Sequence, residues 1–393
     1  MRRLISFLGT GNYQRTAYQF GDAKVSSCYV AACLAKILDV DEVVILATDE
    51  AWEKHGTSLT EALRNLGRPS PERRAIPKGS EEAELWHQFQ AVVRALEEGD
   101  PQAEVVFDIT HGFRSQPFFA SAAIDYCRSV LGGPEHLRVV YGAFEAKDSQ
   151  NISPVWDLTV YVDALDWSRA LLLFLRTGRA HDVVRPTERL GRSLRKEWFL
   201  SGREGREPRL HQLAQAFEDF GNDLITVRTG SMLCGESASA KRLLQALRES
   251  RDEVAERIPP LATVLERIID MIQPLCTEAR LSEPDGQRAL QALAKLYLKM
   301  GRYAEAAATL REGWITKYAS QRADWPGSSD FDKQARELAE NILSEAHPWL
   351  LKEIGDVRND IEHAGFRRKP LPPATIIKRI GKLITRWENS VDH

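Results

Sequence analysis

A chain of 393 residues is long enough for two or three domains, and 43% hydrophobic with 28% charged residues is typical of a folded protein. The net charge of −3 excludes a protein that binds nucleic acid over its whole surface, so any such contact must be a local basic site. The five cysteines form no Cys-x-x-Cys pair, and no apolar stretch approaches the roughly 18 residues of a membrane span. We therefore expect a cytoplasmic protein without disulfides and without a membrane segment.

The first 160 or so residues alternate short apolar runs with helical patterns. The apolar runs predict strands over residues 4–8, 42–47, 72–76, 103–108, 137–141 and 155–161. Helical spacing predicts helices over residues 25–38, 52–66, 81–98 and 117–130. Strands that alternate with helices predict an α/β, Rossmann-like domain whose mostly parallel sheet is covered on both faces.

From about residue 163 onward the pattern is all-α. Amphipathic helical stretches run to the C-terminus, and we expect an α/β domain over 1–165, a helical connector over 166–284 and a helical bundle over 285–393. Residues 296–309 resemble one tetratricopeptide-type helix pair. One such unit cannot form a solenoid, so we assign it to the bundle.

A glycine-containing loop follows the first predicted strand, with Gly9, Thr10, Gly11 and Asn12 in succession. Glycine lets a backbone approach a ligand closely and present its N–H groups. The loop lacks the Gly-Lys-Ser/Thr of a P-loop and the third glycine of a dinucleotide fingerprint. A ligand loop and a tight structural turn are both compatible with it.

The segment from Asp108 to Pro117 is more distinctive, because it joins a predicted strand to a predicted helix. Ligands of open α/β sheets bind at this edge, where helix N-termini attract anions. Asp108 could brace the turn, and donors for phosphate, ribose or base are supplied by Thr110, His111, Arg114 and Ser115, with Gly112 among them in the loop. The alternative is capping and local packing, but six polar or glycine positions at one strand end favour a ligand site. A metal site at Asp108 and His111 lacks further ligands, and we expect none.

Three more residues follow other predicted strands: Thr48, Lys78 and Tyr141. Lys78 could neutralise a phosphate. Each residue taken singly is equally compatible with a solvated turn, so they extend the predicted rim without defining it.

A second group of residues lies on a predicted helix near the C-terminus and contains Arg358, Asn359 and His363. Metal-free RNA cleavage needs an acid or base that titrates near pH 7 and a fixed cation beside the charged phosphorane, which are roles for histidine and arginine. Asn359 lies one turn before His363 and could orient its ring. Arg358 and His363 point about 140° apart on an ideal helix, so we expect a composite site in a dimer. Gly365 marks the expected helix end.

Together the two groups resemble the ancillary ribonucleases of type III CRISPR systems. These proteins join a CRISPR-associated Rossmann-fold (CARF) sensor to a HEPN ribonuclease domain. Asp108-Ile-Thr-His-Gly112 matches the Asp-x-Thr-His-Gly signature of one branch, and Arg358 to His363 matches the HEPN Arg-x4-His signature.

The resemblance implies a mechanism. A cyclic oligoadenylate, for which we expect cyclic tetra-adenylate, binds across a homodimer or higher homo-oligomer as allosteric activator, with no resident cofactor. The HEPN domain then cuts single-stranded RNA in antiviral defence. Arg358 and His363 would be catalytic with Asn359 in support, and the effector pocket would contain Gly9, Thr10, Gly11, Asn12, Thr110, His111, Gly112 and Arg114.

Two other interpretations stay open. A nucleotide-responsive regulator would use its helical half to bind DNA or a protein partner, and the basic segment 189–196 would suit DNA. A Rossmann-type metabolic enzyme would need an acidic ribose ligand, for which Asp49 and Glu50 are candidates, but it leaves the Arg358/His363 motif unexplained.

Overall fold

The computed structural model describes residues 1–100, 102–113, 115–319 and 329–390, and the chain forms two compact units, Met1–Asp166 and Trp167–His393. The first unit is α/β and the second is helical, which confirms the predicted fold class at this level. A further division of the helical unit at residue 284 stays a prediction. No helix in the described ranges is long and apolar enough to cross a membrane.

The first unit is built on one eight-stranded sheet. Its strands are β1 Arg2–Leu8, β2 Thr16–Phe20, β3 Ala23–Ser27, β4 Glu42–Ala47, β5 Glu72–Ala75, β6 Glu104–Asp108, β7 Leu137–Gly142 and β8 Ile152–Asp157. The strand order is β3-β2-β8-β7-β6-β1-β4-β5. The strands from β7 to β5 in this order are parallel, β8 is antiparallel to β7, and β2 is parallel to β8. The sheet is therefore mostly parallel, as predicted.

Helices cover both faces of this sheet: α1 Val30–Ile37, α2 Asp49–Asn65, α3 Glu82–Glu97 and α4 Gln116–Tyr126. Alternate side chains of β1 enter different cores because successive residues of a strand point to opposite faces. Leu4 and Leu8 pack with α1 and α2, whereas Ile5 and Phe7 pack with α3 and α4. A strand buried on both faces has the continuous apolar sequence that predicted β1 correctly.

Three predicted elements of the first unit were wrong in part. Residues 25–27 belong to the hairpin of β2 and β3, which turns at Gly21 (φ +57°), and helix α1 begins only at Val30. Residues 159–161 begin the next helix rather than continue β8, because Asp157 accepts the Thr159 N–H at 3.0 Å. The helix predicted over residues 117–130 is α-helical only as far as Tyr126, and residues Cys127–Leu131 form a π-helix.

The remaining helices are α5 Thr159–Thr177, α6 His181–Leu200, α7 Leu210–Ile225, α8 Thr229–Leu233, α9 Ser239–Arg257, α10 Pro259–Ile272, α11 Pro284–Lys299, α12 Tyr303–Ala319, α13 Lys333–Ala346, α14 Pro348–Glu362 and α15 Pro373–Glu388. The predicted helix pair is confirmed as α11 and α12, which turn at Gly301 (φ +71°) and pack against each other. The Tyr297 hydroxyl of α11 donates to the Leu224 carbonyl of α7 at 2.9 Å.

Candidate functional site

The carboxyl ends of the parallel strands meet at one edge of the sheet. Strand β1 has β4 and β5 on one side and the later strands β6 and β7 on the other, so this edge contains the switch point at which open α/β sheets bind ligands. Two loops lie there, residues 9–15 after β1 and residues 109–113 after β6. A Cβ atom on Gly9 would lie 3.2 Å from the Gly112 Cα, so the two loops are in contact.

The route of loop 9–15 explains this contact. The loop joins β1 to β2, and β6, β7 and β8 lie between these strands. Four strand spacings amount to about 19 Å. The eight steps from Leu8 to Thr16 reach about 26 Å when extended, so the loop must run along the sheet edge.

Asp108, the last residue of β6, holds loop 109–113 in place through hydrogen bonds. Its side chain is fully buried and accepts the Ser6 hydroxyl at 2.7 Å, the Thr110 N–H at 3.0 Å and the Thr110 hydroxyl. Burial raises the pKa of this carboxyl, and the hydrogen bonds from Thr110 and Ser6 oppose that shift. The Thr110 hydroxyl also accepts the Gly142 N–H at 2.7 Å. The expected bracing of the turn by Asp108 is confirmed, and the Thr110 hydroxyl, bonded to both Asp108 and the Gly142 N–H, joins the ends of β6 and β7.

His111 lies against Tyr13, a residue that the sequence analysis missed. Their ring centroids are 4.1 Å apart with the planes inclined by 36°. The His111 Nε2 atom is buried and has no hydrogen-bond partner among the described residues. Burial lowers the pKa of His111 to about 4, with a smaller contribution from His55, so the ring is neutral at pH 7. A buried polar atom without a partner is a candidate contact for a ligand.

Tyr13 and helix α2 hold loop 9–15 in place. The Tyr13 hydroxyl donates to the Gly9 carbonyl and accepts the Gly9 N–H, both at 2.9 Å. Lys54 donates to the Thr10 carbonyl at 2.7 Å and to the Asn12 Oδ1 at 3.0 Å.

His55 completes this support, because its Nε2 lies 2.8 Å from the Gly11 carbonyl and its Nδ1 lies 3.2 Å from the Tyr29 hydroxyl. Neither Lys54 nor His55 was predicted from the sequence. Their position in the chain could have predicted them, because α2 begins directly after β4 and its first turns lie at the same edge as the loop.

The other predicted rim residues have different environments. Thr48 is buried and caps α2 by accepting the Ala51 N–H at 3.2 Å. Lys78 is exposed and pairs with Glu50 at 2.7 Å, and the Tyr141 hydroxyl donates to Glu145. Ser115 occupies the exposed N-cap position of α4 without a side-chain cap, and Arg114 lies outside the described residues. Within the described ranges no three His, Cys, Asp or Glu side chains converge on a possible metal position.

The second predicted group lies at the C-terminal end of α14. The helix ends at Glu362 and His363 is its exposed C-cap, followed by Ala364 (φ +51°) and Gly365 (φ +70°), as predicted for the helix end. Arg358 is paired with Glu362 at 2.8 Å. Asn359 bonds to His363 through its backbone carbonyl at 3.0 Å, and its exposed side chain makes no hydrogen bond to the imidazole within the described part of the chain.

Asp360 organises the chain that follows His363, and the sequence analysis did not single it out. Its buried carboxylate accepts the Leu371 N–H at 2.8 Å and an Arg367 N–H at 3.3 Å, and Arg367 also donates to the Asp356 carbonyl at 3.2 Å. Helical periodicity could have indicated this residue, because position 360 continues the spacing of the buried residues Leu350, Ile354 and Val357. A carboxylate on a buried face needs such partners.

Comparisons with known proteins bear mainly on the first unit. Residues 3–144 match the family model described as CRISPR system endoribonuclease Csx1, CARF domain. A CRISPR-associated protein of Methanocaldococcus jannaschii is 25% identical over 113 residues, which span 29% of this chain and 18% of that relative. The first unit is therefore a CARF domain of the CRISPR-associated kind.

A solved structure of Enterococcus italicus Csm6 bound to cyclic hexa-2′-fluoro-hexa-dAMP aligns over 100% of this chain and 94% of its own. Its sequence identity to this chain is 11% and its TM-score is 0.42.

Proposed function

We propose that this chain is a metal-independent endoribonuclease that a cyclic oligoadenylate activates and that cuts single-stranded RNA in CRISPR antiviral defence. Residues 1–165 would be the sensor, 166–284 a connector and 285–393 the HEPN ribonuclease domain. One observation carries the proposal: the Arg358/His363 motif occupies an exposed helix end in the same chain as a CARF domain.

The chemistry follows from the two side chains. The imidazole of His363 takes the proton from the ribose 2′-hydroxyl or returns one to the leaving 5′-oxygen. The 2′-oxygen attacks phosphorus and the P–O5′ bond breaks, which leaves a 2′,3′-cyclic phosphate and a 5′-hydroxyl. The guanidinium of Arg358 stabilises the charge that develops on the phosphoryl oxygens. Because the substrate supplies its own nucleophile, this route uses no metal-bound water.

The placement of these side chains supports a dimer. Arg358 is turned towards Glu362 of its own helix, and His363 lies beyond the last helical residue. Facing copies of α14 would bring His363 of one protomer to Arg358 of its partner. Mixing Arg358→Ala protein with His363→Ala protein then restores part of the cleavage rate in the heterodimer. An active monomer in sedimentation would contradict the composite site and leave the ribonuclease proposal standing.

The edge formed by loops 9–15 and 109–113, which we call the loop edge, has features that suit an adenylate ligand. Tyr13 and His111 offer ring surface for an adenine, and the unpartnered His111 Nε2 offers a hydrogen bond. Loop 9–15 adds the Gly11 N–H for phosphate, since the Gly9 N–H is donated to the Tyr13 hydroxyl. As ring size we propose cyclic tetra-adenylate.

The decisive experiment uses the full chain, an end-labelled unstructured RNA and EDTA. We expect cleavage with cyclic tetra-adenylate and none with linear tetra-adenylate, and products with 2′,3′-cyclic phosphate ends. Cyclic hexa-adenylate in a parallel reaction decides the ring size. Cleavage that EDTA abolishes, or products with 5′-phosphates, would contradict the chemistry. Effector binding without any RNA cleavage would favour the DNA- or partner-binding regulator.

A further inference from the structure

The sequence that follows the Arg358/His363 motif has an unusual charge. Between Glu362 and Glu388 there is no acidic residue, in a chain with 53 basic and 56 acidic residues overall. The basic residues of this segment are Arg367, Arg368, Lys369, Lys378, Arg379, Lys382 and Arg386. Such a segment is the local basic site that the overall net charge of −3 requires for any nucleic-acid contact.

Helix α15 arranges part of this charge in a row. Its apolar face is buried through Ile380, Leu383, Ile384 and Trp387. The opposite face is exposed and forms a shallow groove lined by Lys378, Gly381, Lys382, Thr385, Arg386 and Asn389. Residues four apart rise about 6 Å along a helix, so Lys378, Lys382 and Arg386 form a nearly straight, evenly spaced line of cations. We call these three residues the basic row.

The basic row is sparsely paired. Many cations of the helical unit meet carboxylates, as in Arg242–Asp219 at 2.6 Å and Arg195–Glu207 at 3.0 Å. Lys378 and Lys382 have no ion-pair partner among residues 1–100, 102–113, 115–319 and 329–390, and Arg386 has only Glu353 at 3.4 Å. Like charges four residues apart destabilise a helix, and of these three cations only Arg386, in the last turn of α15, gains from the helix dipole.

The row also lies beside the motif. Leu371, just before α15, is bonded to Asp360 near the end of α14, whereas Arg386 near the end of α15 meets Glu353 near the start of α14. The two helices are therefore antiparallel neighbours, and the row begins near the end that carries His363. At its far end the Arg386 guanidinium lies 4.6 Å from the ring centroid of Trp349, which is 50% exposed.

We propose that the basic row binds the sugar–phosphate backbone of the single-stranded RNA, and that Trp349 stacks on one of its bases. This inference rests on the proposed cleavage at His363 and names where the substrate is held. Evenly spaced point charges beside an exposed aromatic ring are the features with which proteins bind single strands without sequence preference.

The test measures RNA binding by full-length His363→Ala protein, which does not consume its substrate. The probe is a labelled, unstructured RNA of twenty nucleotides, titrated by fluorescence anisotropy at several salt concentrations. Into this background we place Lys378→Gln with Lys382→Gln. The matched control is Lys24→Gln with Lys36→Gln, two exposed lysines of the first unit without an ion-pair partner in the described ranges.

We expect the Lys378/Lys382 pair of substitutions to weaken RNA binding at least roughly tenfold near 0.1 M salt. The slope of log affinity against log salt concentration should become shallower by about 1.4. The control should bind as the parent does, and Lys378→Arg with Lys382→Arg should retain affinity. Circular dichroism verifies the fold of each protein. Equal affinities in the glutamine variant and the control, or a parent that binds no RNA, would overturn the proposal.

Cleavage by protein with His363 intact separates this inference from the proposed function. If effector-activated cleavage occurs and the glutamine variant keeps its KM, the ribonuclease stands and the RNA surface fails. If RNA is never cut but affinity still falls in the glutamine variant, the surface stands and the ribonuclease fails. A variant that keeps its RNA affinity but loses an acidic protein partner would make the row a protein-docking surface and overturn its assignment to RNA.

Discussion

The loop edge of the CARF domain and the end of α14 hold their polar residues in opposite ways. At the loop edge Asp108 is fully buried and Tyr13, Thr110 and His55 are all hydrogen-bonded within the chain. At the end of α14 the His363 side chain is exposed, and Arg358 has Glu362 as its only ion-pair partner among the described residues.

This difference indicates what each region still requires. The loop edge is held in place by one chain, so a ligand meets a geometry that already exists. A charge pair in open water is weak because the dielectric constant of water is high. If the end of α14 is the proposed RNA site, a second copy and the substrate would have to exclude water before its two side chains could act strongly. Substitutions at the loop edge should change stability and effector affinity together, whereas those at α14 should change catalysis alone.

The largest effect is expected at His363. His363→Ala should reduce the single-turnover RNA cleavage rate by roughly 10²–10⁴, the contribution of a general acid or base. Its thermal stability should stay unchanged because the side chain is exposed. His181→Ala removes another exposed histidine of the helical unit and serves as control. Cleavage within a few-fold of the parent rate would remove His363 from the chemistry.

A backbone substitution tests whether the loop edge is preformed. Gly112 has φ +124°, and a Cβ there would lie 2.0 Å from the Gln116 Oε1. Gly112→Ala should cost about 1–3 kcal/mol of stability and weaken effector binding at least roughly tenfold. Gly132→Ala also places a side chain at a positive φ (+81°) but meets open space, so effector affinity should stay unchanged. Calorimetry and thermal unfolding compare the two, and equal effector affinities would contradict a preformed loop.

The sequence predicted those features of the two regions that depend on local residue patterns. Apolar runs gave β1, β4 and β6, and therefore the loops after them. The contacts that shape those loops were not predictable from spacing, because Lys54 and Thr10 are 44 residues apart in the chain. The edge hairpin was missed because residues 25–27 also fit a helical period that continues into α1. At α14 the helix end followed from Gly365, but the Arg358–Glu362 pair depends on rotamers.

The pH dependence of stability should show the effect of the His111 imidazole, whose Nε2 atom is buried. Because burial lowers its pKa to about 4, the folded protein binds fewer protons than the unfolded chain between pH 4 and 6.5. The stability that the neutral ring contributes is present above pH 6.5 and is lost as the pH falls towards 4. Between pH 7 and pH 5 we expect a loss of about 1–2 kcal/mol that His111→Asn does not show. Denaturant unfolding of the two proteins measures it, and parallel pH profiles would place the ring in water.

The smallest effect is expected at Glu362. Its substitution tests whether the ion pair with Glu362 keeps Arg358 from the substrate phosphate. An exposed pair four residues apart is worth about 0.3–0.5 kcal/mol. Arginine before glutamate is the weaker order, and a carboxylate near a helix C-terminus opposes the helix dipole, so Glu362→Gln should barely change stability. If Arg358 must leave Glu362 to reach a phosphate, the substitution should raise kcat/KM about twofold, the equivalent of that pair energy. Glu337→Gln disrupts a comparable pair with Lys333 on α13 and should leave kcat/KM unchanged. A fall in kcat/KM beyond twofold in Glu362→Gln alone would mean that Glu362 positions Arg358 for catalysis, and the end of α14 would then be partly preformed, like the loop edge.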